Sequence, residues 1–218
     1  MWLSVKHAAR ALAVTIACAL VFAGPLRGQT AQPPVKVVVL GDSLSAGFGL
    51  PADAAFPAKL DAALKRKGIA VAMTNAGVSG DTASGGLERL DWSVPDGTDA
   101  VILELGANDM LRGVDPKVTR KALETIITRL KQRNITVMLC GMRAPPNMGA
   151  SYVREFDGIY PALASTHGVV FYPFFLEGVA ADRSLNQPDG LHPNAAGVDV
   201  IVERILPKVE ELIGRVKK

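Results

Sequence analysis

The sequence predicts an α/β protein, a three-layer α/β/α sandwich with a five-stranded parallel sheet. Five short apolar runs alternate with segments of helical spacing along the chain, as in repeated strand–helix units. The runs are almost continuously apolar, which indicates strands that are covered on both faces. Hydrophobic residues make up 49% of the chain, enough to fill the core of such a sandwich.

The five apolar runs define the predicted strands. The first, VKVVVL, is interrupted only by Lys36 and stops at Gly41. The third, AVILEL, also stops at a glycine, and so does the fourth. In chain order the predicted strands cover residues 35–40, 69–73, 100–105, 136–140 and 169–172.

The segments between the strands predict helices. The first has Leu60, Ala63 and Leu64 on one face and charged residues opposite, which is amphipathic helical spacing. Pro116 suits the first turn of another, and Pro207 is expected to kink or split the last one. The predicted helices cover residues 56–67, 82–90, 116–132, 151–166 and 195–216.

Residues 1–31 predict a secretory signal peptide followed by a short spacer. The start is basic, with Lys6, His7 and Arg10, and residues 11–23 are an unbroken apolar run. Such a run is shorter than the roughly 20 residues that a membrane-spanning helix needs. Cleavage is expected between residues 23 and 31, and an uncleaved anchor is the alternative. The prediction implies a periplasmic or secreted protein with no stable membrane span, and a single domain over residues 35–218.

The charge of the chain belongs largely to this first segment. Three of the 24 basic residues lie in residues 1–31, which hold no acidic residue. The remainder therefore has 21 basic and 21 acidic residues, and it lacks the basic surface typical of nucleic-acid-binding proteins. Cys140 is the only cysteine outside the first segment, so an intramolecular disulfide is not expected in the mature chain.

Four polar clusters follow predicted strands or precede the last helix. Ligands of open parallel sheets bind beyond the carboxyl ends of the strands, so these clusters are candidates for a functional site. They read GDSLS at 41–45, NAGVSGDT at 75–82, GAND at 106–109 and DGLHPN at 189–194.

A nucleophilic serine needs a base, and two histidines lie outside the first segment. His167 closes a predicted helix, where a capping role is favoured. His192 follows Asp189 by three residues, a spacing that lets a carboxylate orient the imidazole; on its own this pair fits a loop cap equally well. Ser43 after a strand could likewise simply cap the next helix, and its turn is not the G-x-S-x-G elbow.

The sequence gives no indication of a cofactor. Residues 47–52 fit G-x-G-x-x-A, but Pro51 and the distance from the first strand favour a loop. The turn at 41–47 lacks the lysine of a phosphate-binding loop. No cluster offers three spaced metal ligands.

Taken together, the four clusters resemble the sequence blocks of the SGNH (GDSL) hydrolase family. Ser43 matches the nucleophile block, Gly80 the glycine block and Asn108 the asparagine block, while Asp189 and His192 match the final Asp-x-x-His block. The order and spacing agree over about residues 35–215. The resemblance implies the flavodoxin-like fold of that family, with Ser43, Asp189 and His192 as the catalytic triad and Ser43, Gly80 and Asn108 as the oxyanion hole.

The resemblance also implies a substrate class. Within the family the chain is similar to the bacterial arylesterase and multifunctional thioesterase–lysophospholipase branch, which implies a small acyl ester, thioester or lysophospholipid substrate. A carbohydrate acetylesterase of the same family is the alternative. A non-catalytic binding protein is a third hypothesis, which the complete set of site residues disfavours. The oligomeric state does not follow from the sequence.

The acyl group is expected to contact loops near the strand ends. Leu111, Met142, Met148 and Leu191 are candidates for lining an acyl channel because of their positions after strands or beside a cluster. Ordinary packing or exposure is an equally good interpretation of each.

Overall fold

A computed structural model describes residues 33–217, in which five strands form one parallel sheet. The strands are β1 (Val35–Gly41), β2 (Val71–Gly77), β3 (Ala100–Glu104), β4 (Thr136–Cys140) and β5 (Val170–Tyr172). Their order in the sheet is β2-β1-β3-β4-β5. The predicted parallel sheet is thereby confirmed.

Helices pack on both faces of the sheet. The helices are α1 (Ser43–Ala46), α2 (Phe56–Arg66), α3 (Ala83–Glu88), α4 (Leu90–Ser93), α5 (Ala107–Leu111), α6 (Pro116–Gln132), α7 (Ala150–Asp157), α8 (Ile159–His167) and α9 (Ala195–Gly214). On one face α2 packs against α9, and on the other α6 packs against α3 and α8, so the predicted three-layer sandwich is also confirmed.

The register of the central strands brings three chain segments to one point. Gly41, the last residue of β1, pairs with Gly77 at the end of β2 and with Glu104 at the end of β3. Every residue of β3 is buried, and β1 is buried except at Lys36. The polar residues that follow these strands therefore project from the edge of an apolar core.

Several predicted boundaries were wrong. β2 begins at Val71 and runs to Gly77, so part of the second polar cluster belongs to the strand. The helix predicted over 151–166 is two helices that meet at Gly158, and the one predicted over 82–90 also divides. By contrast, α9 runs without interruption through Pro207.

The predicted signal peptide and spacer, residues 1–31, lie outside the described residues. Among helices of the described part, none has the length and apolar character needed to cross a membrane.

Candidate active site

Ser43 lies on a short turn directly after the central strand. β1 ends at Gly41, and α1 begins at Ser43 itself. Asp42 caps this helix, because its Oδ1 accepts a hydrogen bond from the Leu44 amide at 3.0 Å. Asp42 is fully buried and Ser43 is half-buried, so the turn is anchored in the core and exposes the serine at the surface.

His192 lies on the loop between β5 and α9. Asp189 Oδ1 accepts hydrogen bonds from the amides of Leu191 at 2.9 Å and His192 at 3.0 Å. Gly190 completes this turn with a φ of 69°, a left-handed conformation that favours glycine. The other carboxylate oxygen of Asp189 lies 2.7 Å from His192 Nδ1. The local turn thus sets the orientation of the imidazole.

The structure brings these two segments together. Ser43 Oγ lies 2.9 Å from His192 Nε2, although the two residues are 149 positions apart. The Phe48 ring, from the loop after α1, lies 4.6 Å from the imidazole centroid, and Gln187 Nε2 donates to the Phe48 carbonyl at 2.7 Å. A serine, an imidazole and a carboxylate in this order can transfer the serine proton to the imidazole.

Gly80 and Asn108 come from the ends of the neighbouring strands. Asn108 lies on α5, and its Nδ2 donates to the Asp81 carbonyl at 2.9 Å and to Asp42 Oδ2 at 3.1 Å. Gly80 precedes Asp81 and has a φ of 87°, while its carbonyl accepts a hydrogen bond from Arg112 at 2.7 Å. The asparagine amide therefore joins the loop of Gly80 and Asp81 to the turn that carries Ser43.

The four clusters that form this site also carry a family signature. The model of the GDSL-like lipase/acylhydrolase family matches residues 39–200. The chain belongs to this family. The resemblance inferred from the sequence blocks is confirmed, and so is the enzyme class, that of the carboxylic ester hydrolases.

Individual relatives of this hydrolase agree with that placement. It is 42% identical to an arylesterase of Vibrio mimicus, over 79% of this chain and 86% of the relative. It is 37% identical to thioesterase 1/protease 1/lysophospholipase L1 of Escherichia coli K12, over 81% of this chain and 84% of the relative. A crystal structure of TesA superposes with a TM-score of 0.77 at 35% identity, covering 81% of this chain and 99% of that one.

Arg89 of the hydrolase joins three of these segments, and the sequence did not single it out. Its Nε lies 2.5 Å from Asp81 Oδ2, and its guanidinium donates to the carbonyls of Ala76 at 2.8 Å and Gly41 at 2.9 Å. The guanidinium therefore ties the ends of β1 and β2 to the loop that precedes α3. A charged residue in a predicted helix is expected to be exposed, so only the contacts reveal this role.

The pKa values of the two aspartates in the site, Asp42 and Asp189, are shifted in opposite directions. Burial raises the pKa of Asp42 to about 6, against the hydrogen bonds from Leu44 and Asn108 that lower it. Hydrogen bonds from the His192 and Leu191 amides lower the pKa of Asp189 to about 2. Asp189 is therefore ionised at neutral pH and favours a charged imidazole beside it.

A cavity of about 470 Å³ opens beside Ser43 and His192 in the hydrolase. Leu111, Met142 and Leu191 lie on its wall, and their contact with a substrate stays a prediction. Met148 is not part of the lining, which in this segment ends at Pro145, before the 3-10 turn Pro146–Met148. The remaining apolar lining side chains include Leu44, Met110, Ala144, Pro145, Phe174 and Leu176.

Potential metal ligands do not cluster in the part of the chain that the structure describes. Over residues 33–217 no group of three His, Cys, Asp or Glu side chains is placed to hold a metal ion. His167, the other histidine of residues 33–217, ends α8 and lies 3.6 Å from Glu124 on α6. It takes no part in the arrangement around Ser43.

Proposed function

We propose that the protein is a secreted serine hydrolase that cleaves carboxylic esters and thioesters through an acyl-enzyme on Ser43. The observation that carries this proposal is the pair of hydrogen bonds at His192, 2.9 Å to Ser43 Oγ and 2.7 Å to Asp189 Oδ2. His192 accepts the Ser43 proton as Oγ attacks the acyl carbon, and then donates it to the leaving group. Water releases the acyl group by the reverse sequence.

Asp189 sets the tautomer of the base. Its carboxylate accepts a hydrogen bond from His192 Nδ1, which leaves Nε2 free to accept the proton of Ser43. Because the pKa of Asp189 is lowered to about 2, the carboxylate keeps its charge throughout the physiological range and stabilises the imidazolium.

The oxyanion would be bound by the Ser43 and Gly80 amides and the Asn108 side chain, the set that the family resemblance implies. Both amide hydrogens of Asn108 are already engaged, by the Asp81 carbonyl and by Asp42. The bond to Asp42 is the longer, at 3.1 Å, and we expect the oxyanion to share that hydrogen. Donors already held in place stabilise a developing charge without reorganisation.

The cavity beside Ser43 supports an acyl or aryl substrate. Most of its lining side chains are apolar, and such a surface favours hydrocarbon. Binding of an acetylated sugar would instead require many hydrogen-bonding groups for the hydroxyls. The names of the relatives, arylesterase and thioesterase/lysophospholipase, support the same class of substrate over a carbohydrate ester.

Secretion rests on residues 1–31, with their basic start and short apolar run. Fractionation of cells that express the full chain tests it. The expected result is a shortened protein in the periplasm or medium, with a new N-terminus between residues 23 and 31. Full-length protein retained in the membrane would contradict it.

The function is tested with a panel of p-nitrophenyl esters, acyl thioesters and acetylated sugars. Ser43→Ala and His192→Ala should lose nearly all turnover of esters and thioesters while unfolding at the wild-type temperature. Ser151→Ala, an exposed serine on α7, is the matched control and should keep wild-type turnover. Full activity of Ser43→Ala would refute the acyl-enzyme mechanism.

One observation favours lysophospholipids as a particular substrate. Arg143 lines the cavity, its guanidinium lies 4.9 Å from the Phe174 ring centroid, and its contact with Glu177 is long at 4.0 Å. A cation beside an apolar cavity suits an acyl ester that also carries a phosphate. Arg143→Gln should raise KM for a lysophospholipid and leave a neutral p-nitrophenyl ester unaffected. An equal change for both substrates would rule out this contact.

A further inference from the structure

Glu104 is a buried acid under the nucleophile turn with no part in the mechanism above. It is the last residue of β3, after four apolar residues, and is 1% exposed. Its Oε2 accepts a hydrogen bond from the Ser45 hydroxyl at 2.7 Å and a longer one from the Asp42 amide at 3.4 Å. One carboxyl oxygen therefore holds a residue on each side of Ser43.

The contact joins two strand ends through the turn. Gly41 of β1 pairs with Glu104 of β3, so the nucleophile turn begins directly beside the carboxyl group. Ser45 lies on α1 and is fully buried, and its hydroxyl faces inward while Ser43 faces the cavity. A displacement of Glu104 would release the buried side of α1 and shift the exposed side with it.

The glycine of the first cluster makes room for this contact. A Cβ at Gly41 would clash with the Ser45 hydroxyl and would lie 2.7 Å from Glu104 Oε2. Gly41 is not one of the glycines with a positive φ. Close approach of its neighbours, rather than backbone conformation, therefore explains why a glycine stands here. The GDS segment is thus shaped around the carboxyl group of β3.

Glu104 is a costly residue at this position. Burial, and next the charge of Asp42, raise the pKa of its carboxyl well above the usual value. Within the described residues its Oε1 has no hydrogen-bond partner. An apolar side chain would avoid the cost of burying this group, so packing alone does not explain a glutamate here.

We propose that Glu104 is a positioning residue for the nucleophile, which holds the Ser45 hydroxyl and the Asp42 amide so that Ser43 Oγ points at His192. This inference rests on the proposed function of Ser43. The carboxyl group acts as a hydrogen-bond acceptor, a role that the neutral acid also fills. Glutamine, whose carbonyl oxygen accepts the same two bonds, should therefore replace it, and methionine should not.

The test measures kcat and KM of Glu104→Gln and Glu104→Met with a p-nitrophenyl ester. Glu104→Met should lower kcat by about 100-fold with little change in KM, because a small misplacement of a reacting group costs about that much. Glu104→Gln should stay within about tenfold of wild type. Ser45→Ala removes one of the two contacts and should give an intermediate kcat. The rate of Ser43 labelling by a p-nitrophenyl phosphonate should fall in the same order.

Ile102→Val is the control, since it trims a fully buried side chain on the same strand without removing a hydrogen bond. It should keep wild-type kcat. Wild-type kcat in a folded Glu104→Met, or equal losses in the Gln and Met variants, would overturn the positioning role. If Glu104→Met does not fold, Ser45→Ala and Glu104→Gln decide the question. Ester turnover by Ser43→Ala would instead overturn the proposed function itself.

Discussion

The turn that carries Ser43 and the loop that carries His192 meet at one hydrogen bond, yet different interactions hold them. Asp42 and Ser45 in the turn are fully buried and contact Asn108 and Glu104, which follow or end the adjacent strand. In the loop, the Asp189 carboxylate accepts hydrogen bonds from the amides two and three residues further on, and Gln187 adds one long-range bond to the Phe48 carbonyl. Long-range contacts therefore predominate around the turn of Ser43, and local ones predominate in the turn that orients His192.

The two aspartates show what this difference does to charge. The same side chain has a pKa raised to about 6 where it is buried, at Asp42, and lowered to about 2 where it is exposed and accepts several N–H groups, at Asp189. Asp189 can therefore hold a full negative charge beside the imidazole at all physiological pH values. Asp42 suits a different task, as a buried hydrogen-bond acceptor.

The sharpest way to separate the two regions is Asp189→Asn. The asparagine Oδ1 can still accept from the loop amides, so the loop should keep its conformation. It no longer favours the correct tautomer of His192, and kcat should fall by about 1,000- to 10,000-fold. Esterase kinetics and thermal unfolding together check this. A large loss of stability would show that the charge of Asp189, and not only its acceptor geometry, maintains the loop.

Asn108→Ala tests the link between the buried turn and the glycine loop. Loss of the side-chain amide should lower kcat by about 100-fold, the usual effect of removing one oxyanion donor. Asn147→Ala, an exposed asparagine in the segment after the cavity wall, is the matched control and should have wild-type kcat. A rise in KM without a fall in kcat would mean that Asn108 binds the substrate equally in the ground state and the transition state.

Glu104→Gln is expected to have the smallest effect on turnover. Its clearest effect should be on how the free energy of unfolding depends on pH. Because the pKa of Glu104 is raised in the folded state, its carboxyl binds more protons in the folded protein than in the unfolded chain above about pH 4, and the contribution of this group to stability falls as pH rises. Glutamine does not titrate, so the variant lacks this pH-dependent contribution to stability. The free energy of unfolding of the variant should therefore increase relative to wild type between pH 5 and pH 8. A constant difference over that range, measured by urea denaturation, would contradict the buried acid.

Much of the fold was predictable from local patterns. The helix over Pro116–Gln132 and the strand over Thr136–Cys140 have the predicted bounds, because apolar spacing and a proline in the first helical turn are local signals. β2 was misplaced because its second half is polar. The uninterrupted α9 was missed because packing can override the local preference of proline. The break at Gly158 agrees with the poor helix propensity of glycine, which the predicted helix over 151–166 did not take into account.

The residues of the candidate site also fall into two groups, those that short sequence motifs reveal and those that only the tertiary contacts reveal. The residues proposed for the triad and the oxyanion hole stand in short motifs, so order and spacing in the sequence single them out. Glu104 and Arg89 carry no such signal. Glu104 is the only acid in the apolar strand β3, and Arg89 is a charged residue between two short helices. Their hydrogen bonds span 59 residues to Ser45 and 48 residues to Gly41, and no local pattern encodes such contacts.

Sequence alone determined the fold class, the family and the identity of the residues around Ser43, because each depends on local spacing or short motifs. Only the tertiary structure decided how those residues are held, since strand register sets which buried groups meet. It placed Glu104 beneath the nucleophile turn, the Arg89 guanidinium between two strand ends, and Leu111, Met142 and Leu191 but not Met148 around the cavity.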